Sequence, residues 1–271
     1  MRADEHLDAL PHPVRVELES LFDPRYLIHR GAELERILKV RSALDARPPL
    51  RAVEIGSNTG AFLAGVGRDP STTTLGIEWR AKNVVAAEER IARRGLSGAM
   101  MLQADARLAL SVLVPERSLD AVYVLFPDPW WKTRHAERRV LDVRFLRTIA
   151  RRLRDGGALY LKSDVFDYLY RVRSLAEASR ALRPLPAARW PDERDWAPST
   201  RERKCMSTAI PFGRGYYERH PAFDTTLPTE PERESDFVGA ELPVVDAESI
   251  IRGPAPYDRE ALARGRARRR E

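Results

Sequence analysis

Between about residues 50 and 182, short apolar runs alternate with helical stretches. This alternation limits the possible folds more than any other feature of the chain. Residues 50–55, 73–77, 99–103, 118–126 and 158–162 read as strands. Residues 32–44, 60–66, 81–94, 140–153 and 165–182 read as helices, punctuated by Pro48-Pro49, Asp69-Pro70, Gly95 and Asp155-Gly156-Gly157. The pattern predicts an α/β fold with a doubly wound, mostly parallel sheet. Right-handed crossovers then put the functional crevice at the carboxyl ends of the strands, so the informative residues are those just after each strand. Residues 201–223 read as one antiparallel strand pair around Pro211-Phe212-Gly213.

The flanks differ from this body. Residues 1–31 are polar with no clear period and read as an N-terminal extension. Residues 224–248 are acidic and residues 249–271 end in ARGRARRRE, so 224–271 read as a low-structure charged tail. The 271-residue chain is 43% hydrophobic and 32% charged, a globular balance that excludes wholesale disorder. No 18-residue apolar run is present, so no membrane span is expected. The first twenty residues lack the apolar stretch of a secretory signal, and a cytoplasmic location is expected. A single cysteine, Cys205, excludes a disulfide framework and a multi-cysteine zinc site. It reads as a packed or idle thiol, and no metal is expected. The net charge is +6, carried mostly by arginine, which binds phosphate in a bidentate fork. Such an excess suits a polyanionic partner; genomic base composition is the other reading.

Four motifs fall where the topology puts function. Glu54-Ile55-Gly56-Ser57-Asn58-Thr59-Gly60 is a strand, a tight turn and a helix start, a loop whose glycines admit a ligand close to the backbone. Asn58 stands where a third glycine is expected, and Asn tolerates a left-handed backbone. Glu78 closes Gly76-Ile77-Glu78, placed to bind ribose hydroxyls. Asp105, after the third strand, suits an exocyclic amine or, equally, the N-cap of a helix over 106–113. The fourth is Phe126-Pro127-Asp128-Pro129-Trp130-Trp131-Lys132-Thr133-Arg134-His135-Ala136-Glu137-Arg138-Arg139. An aspartate clamped between prolines, beside aromatics and cations, suits a flat base held at a carboxylate while phosphates are gripped nearby.

This last segment resembles the FPDPW-K-RH-RR signature of tRNA (guanine-N7)-methyltransferases. EIGSNTG resembles that family's glycine turn, GIEWR its acid after strand two, and Asp105 its acid after strand three. Leu161-Lys162-Ser163-Asp164 is similar to its T-D pair. Ser199-Thr200-Arg201-Glu202-Arg203-Lys204 is similar to its T-x-x-E-x-K segment, with one residue fewer between Thr and Glu. The resemblance spans about residues 32–220 and implies a Rossmann-like class I methyltransferase domain over 32–223.

It also implies methyl transfer from S-adenosylmethionine to N7 of a guanosine in the variable loop of tRNA, at nucleotide 46. Asp128 is the implied catalytic residue. Glu54, Gly56, Gly60, Glu78, Asp105 and Asp128 are the implied cofactor contacts. Lys132, Arg134, His135, Arg138, Arg139, Asp164, Thr200, Glu202 and Arg203 are the implied substrate contacts. With the spacing shortened, either Glu202 or Arg203 takes the guanine-contacting place. The expected partner is tRNA, to a monomer or homodimer that uses neither membrane nor metal. Two rival readings are a small-molecule methyltransferase, which would not need the basic cluster, and a tRNA-binding protein without turnover.

Overall fold

The structure, a computed structural model, describes residues 7–129, 139–193, 196–239, 242 and 251–252. Its sheet comprises β1 (Leu50–Ile55), β2 (Thr73–Glu78), β3 (Ala99–Gln103), β4 (Leu119–Leu125), β5 (Leu153–Ser163), β6 (Leu182–Pro184), β7 (Gly213–Arg219) and β8 (Ile251–Arg252). The order is β3-β2-β1-β4-β5-β7-β6, with β8 beside β7. β1 to β5 pair in parallel; β7 runs antiparallel to β5, β6 and β8. The doubly wound sheet with a C-terminal antiparallel pair is therefore as expected. Strand order reverses at β1 and β4, so the crevice opens above their carboxyl ends.

Successive side chains on these strands feed different cores, as a pleat of period two requires. Val122, Val124, Leu159 and Leu161 enter the main core. Ala121, Tyr123, Leu125, Ala158 and Tyr160 turn into smaller aromatic clusters. Phe62, Tyr123, Tyr160 and Trp196 meet there with ring centroids 4.9 to 5.7 Å apart. The main core is covered by α1 (His12–Leu21), α3 (Gly31–Asp45), α6 (Ala106–Leu113), α7 (Val143–Arg152) and α8 (Phe166–Ser179). The other face carries α4 (Leu63–Val66) and α5 (Ala81–Arg93). No described helix is long and apolar enough to cross a membrane.

Several elements depart from the sequence expectation. The segment without a clear period holds α1 and α2 (Pro24–Ile28), each opened by a proline in its first turn. Val16, Leu18 and Leu21 of α1 are buried, but so are Glu17 and Ser20, and these polar residues interrupt the apolar period. The helix expected over 60–66 is only the single turn α4. That over 140–153 starts at Val143, where Asp142 accepts from the Phe145 amide at 2.8 Å. Asp155-Gly156-Gly157 does not precede the fifth strand but forms a bulge inside it, as the register with β4 jumps from Leu119↔Leu153 to Ala121↔Ala158. The helix expected over 165–182 stops at Ser179, and Leu182–Pro184 becomes an edge strand instead. The antiparallel pair expected within 201–223 is not formed there: Thr200–Ser207 is helix α9, and β7 takes its partners from β5 and β6. Past residue 223 the described chain is mostly irregular, but Glu232 is tied to Arg151 at 2.6 Å and to Arg147 at 2.8 Å.

Candidate functional site

The turn after β1 is stitched to the neighbouring strand. The Gly56 and Ser57 amides donate to the Ile77 carbonyl at 2.8 and 3.1 Å. Gly56 (φ 76°), Asn58 (φ 49°) and Gly60 (φ 67°) are all left-handed. Asn58 therefore fills the third glycine's place in the conformation expected of it. A side chain at Gly60 would meet the Ala87 Cβ at 2.8 Å, whereas the space above Gly56 is open. The expected result is that Asn58→Gly leaves thermal stability unchanged or slightly raised. Asn58→Val, a β-branched residue in a left-handed position, costs about 1–2 kcal/mol in a denaturation experiment.

Glu78, at the end of β2, is held from both sides. One carboxylate oxygen accepts from the Asn58 amide at 2.9 Å and the other from the Arg80 amide at 2.8 Å. Asp105 turns out to be both things the sequence allowed. It caps α6, accepting from the Arg107 amide at 2.9 Å, and it lines the same cavity as Glu78. Arg107 also pairs with it at 2.8 Å, and the Asp105 amide donates to the buried Glu33 carboxylate. Asp128 stands exposed in the wall of the same cavity. Phe126 ahead of it has φ 54°, a strained left-handed turn for a bulky residue. Its amide donates to the Lys162 carbonyl at 2.7 Å and its ring packs 5.5 Å from Phe212, which together hold the bend. Three strand-end carboxylates thus face one cavity of about 770 Å³, with Gly56 in its wall.

Glu54 is placed differently. It is 2% exposed, lies outside the cavity wall, and its Oε2 has no hydrogen-bond partner among the described residues. Burial pushes its carboxyl up to about 8, aided by the charge of Glu78. A carboxyl that is neutral when folded but titrates near 4.5 when unfolded costs stability as pH rises from about 4.5 to about 8. Glu54→Gln is accordingly expected to flatten the fall in melting temperature over that window, measured by thermal denaturation from pH 5 to 8.5.

Among the expected substrate contacts, Lys132, Arg134, His135 and Arg138 lie outside the described residues. Arg139 is on the cavity wall, its Nε donating to the Pro129 carbonyl at 3.1 Å. Asp164, Thr200, Glu202 and Arg203 gather away from the wall, where α9 meets the end of β5. Asp164 is ion-paired with Arg201. Ser199 and Glu202 cap α9 reciprocally, and Glu202 points inward to Lys162 Nζ at 2.7 Å. Lys162 is 1% exposed and also pairs with Glu193 at 3.1 Å. Arg203 points outward, its Nη1 on the Pro198 carbonyl at 3.2 Å. Cys205 is buried on the inner side of α9.

Among the wall residues that escaped the sequence reading are Tyr26, Trp79 and Arg80. Trp79 follows Glu78 directly and is half exposed, a visible signal. Tyr26 comes from α2, in a segment read as an extension, so nothing marked it. Arg30 links the two, its guanidinium 3.8 Å from the Tyr26 ring centre and 4.9 Å from that of Trp79.

Comparison with known proteins agrees with this architecture. The family described as "Putative methyltransferase" matches residues 49–210. A tRNA (guanine-N(7)-)-methyltransferase of Hydrogenovibrio crunogenus is 34% identical over 56% of this chain and 64% of its own length. Those of Rhodopirellula baltica and Myxococcus xanthus are 36% and 31% identical, over 62% and 60% of this chain and 65% and 80% of their own lengths. The chain thus spans just under two thirds of the first two relatives. A match over residues 49–210, a relative covered over four fifths of its length, and strand-end acids gathered at one cavity lead to one assignment: the chain belongs to the tRNA (guanine-N(7)-)-methyltransferase family.

Proposed function

We propose that this protein transfers the methyl group of S-adenosylmethionine to N7 of a guanosine in tRNA. The observation that carries the proposal is the convergence of Glu78, Asp105 and Asp128 on one cavity beside the glycine turn. The residues present fit this donor. The open space above Gly56 accepts close approach of a ligand, Glu78 suits ribose hydroxyls, and Asp105 suits an adenine amine. S-adenosylmethionine, when bound, supplies a methyl group on a positively charged sulfur.

N7 is a lone-pair acceptor that carries no proton, so no general base is required of the chain. What the residues contribute is alignment and charge. The cavity wall would hold the donor, and presenting the base to it in line would be a proximity effect. As positive charge would develop on the guanine ring, the Asp128 carboxylate at the cavity wall would stabilise it. Asp164, with Thr200 beside it at the start of α9, is the proposed guanosine contact. Glu202, committed to Lys162, acts as an internal strut, which leaves Arg203 to face the RNA. The target proposed is nucleotide 46 of the variable loop, where a base is open to attack; an A-form helix would bury N7 in a deep, narrow groove.

The test uses purified protein, methyl-labelled S-adenosylmethionine and an unmodified tRNA transcript. Digestion to nucleosides is expected to return the label as 7-methylguanosine, and chain cleavage at the modified base to map it to nucleotide 46. Label in another nucleoside refutes the N7 assignment. No label in RNA despite donor binding favours a small-molecule acceptor, and no donor binding leaves a tRNA-binding protein without turnover.

A further inference from the structure

A basic cluster joins the C-terminal end of α5 to the outer face of α9. Arg93, Arg94 and Arg203 are exposed and Arg90 is half-buried. Arg90 Nε donates to the Thr59 carbonyl at 2.8 Å, which fixes it beside the glycine turn. The chain leading into α9 is pressed onto α4: Gly65 packs against Ala197 with no room for a side chain, and Trp196 lies 5.7 Å from Phe62. Arg203 is then held by the Pro198 carbonyl at 3.2 Å, and Lys204 beside it is exposed.

Little compensates these charges. Glu89 pairs with Arg93 at 3.4 Å, both well exposed, and Glu88 is the other acid of α5. Arg90, Arg94 and Arg203 have no carboxylate within ion-pair distance among the described residues. Burial, and then the charges of Arg94, Arg203 and Arg93, hold the Arg90 guanidinium below the ordinary arginine value. Gathering like charges at a surface is unfavourable, and a row of phosphates relieves it by releasing its own counterions. Arginine is the side chain suited to that contact, through paired hydrogen bonds to phosphate oxygens.

We infer that Arg90, Arg93, Arg94 and Arg203 form a phosphate-binding surface that holds the sugar–phosphate backbone of the RNA substrate away from its target base. The cluster starts on α9, the helix that opens beside Asp164, and continues across to the turn at Thr59 and the end of α5. It positions the RNA without reading sequence, as phosphate contacts do. The inference rests on the tRNA reading above.

The test compares two triple variants that lose the same charge. Arg93→Gln/Arg94→Gln/Arg203→Gln removes the cluster and spares Arg90, which supports the turn. Arg36→Gln/Arg41→Gln/Arg233→Gln removes exposed arginines elsewhere. Binding of fluorescent tRNA is measured between 50 and 200 mM salt, with donor affinity and melting temperature as controls. The cluster variant is expected to flatten the plot of log K against log salt by about 2 to 3 units. Its Kd for tRNA rises at least about tenfold, while donor affinity and melting temperature stay near wild type. The control variant changes the slope by less than about 1. An unchanged slope in the cluster variant, or an equal loss in the control, shows a merely solvated face and overturns the inference. Wild-type protein that methylates tRNA while the slope is unchanged refutes this surface alone; wild-type protein that neither binds nor methylates tRNA refutes both this surface and the function it serves.

Discussion

Asp128→Ala is expected to lower the single-turnover rate of methyl transfer by about 100- to 1,000-fold, the range for losing one preorganised electrostatic partner of a transition state. The measurement is made at saturating donor and tRNA, so that binding does not enter. Asp128 sits at the cavity wall between two prolines, after a left-handed Phe126 pinned to β5 through the Lys162 carbonyl. A backbone so restrained limits the reorganisation the carboxylate needs as charge moves onto the guanine ring. Asp128→Asn keeps the shape and loses the charge, so its rate is expected near that of the alanine variant. Asparagine activity close to wild type would assign Asp128 to hydrogen bonding and packing. Because Glu78 and Asp105 remain, donor affinity in either variant falls by much less than the rate.

The second large effect is on stability and lies far from the cavity. Glu17→Ala is expected to destabilise the fold by about 3–5 kcal/mol, the cost of leaving buried charge unpaired. Glu17 on α1 is 1% exposed and pairs with Arg152 and, at 3.5 Å, with Arg151, both at the end of α7. Arg151 keeps Glu232 at 2.6 Å, but among the described residues Arg152 then hydrogen-bonds backbone carbonyls alone, that of Leu110 at 3.3 Å among them. A melting temperature lower by about 10 °C follows for a chain of this size. Replacing both partners, as Glu17→Leu/Arg152→Met, removes the orphaned charge and is expected to recover most of the loss. A Glu17→Ala protein that melts within a degree or two of wild type would mean that α1 is dispensable to the core.

The same residue shows where the sequence was readable and where it was not. β1 to β5 stand out because their central residues are buried on both faces, so each appears as a short apolar run. α1 does not stand out, because its core-facing side includes Glu17, paired with arginines about 135 positions away, and Ser20, whose hydroxyl donates to the Val16 carbonyl and accepts from the Glu232 amide. β6 was hidden for a different reason. Its first residue, Leu182, falls in the apolar pattern of α8, and the left-handed Arg180 and the pairing with β7 separate the two elements. At the site, Glu78, Asp105 and Asp128 were legible because topology alone sends strand-end residues to the crevice. Glu54 shares their chemistry but is enclosed behind the turn, and spacing does not distinguish an inward carboxyl from one at the wall. That Glu202 turns inward was not legible either, because its Lys162 partner lies forty positions away in the chain.

The central claim is that N7 itself is the methyl acceptor, and exchanging that atom tests it most directly. A tRNA transcript made with 7-deazaguanosine replaces N7 by a carbon bearing no lone pair, leaving the Watson–Crick edge and every phosphate in place. With labelled S-adenosylmethionine, the expected result is retained tRNA binding and no transfer of label, beside full transfer to the guanosine transcript. Label appearing in the 7-deazaguanosine transcript at a comparable rate would contradict the account, placing the methyl group on another atom.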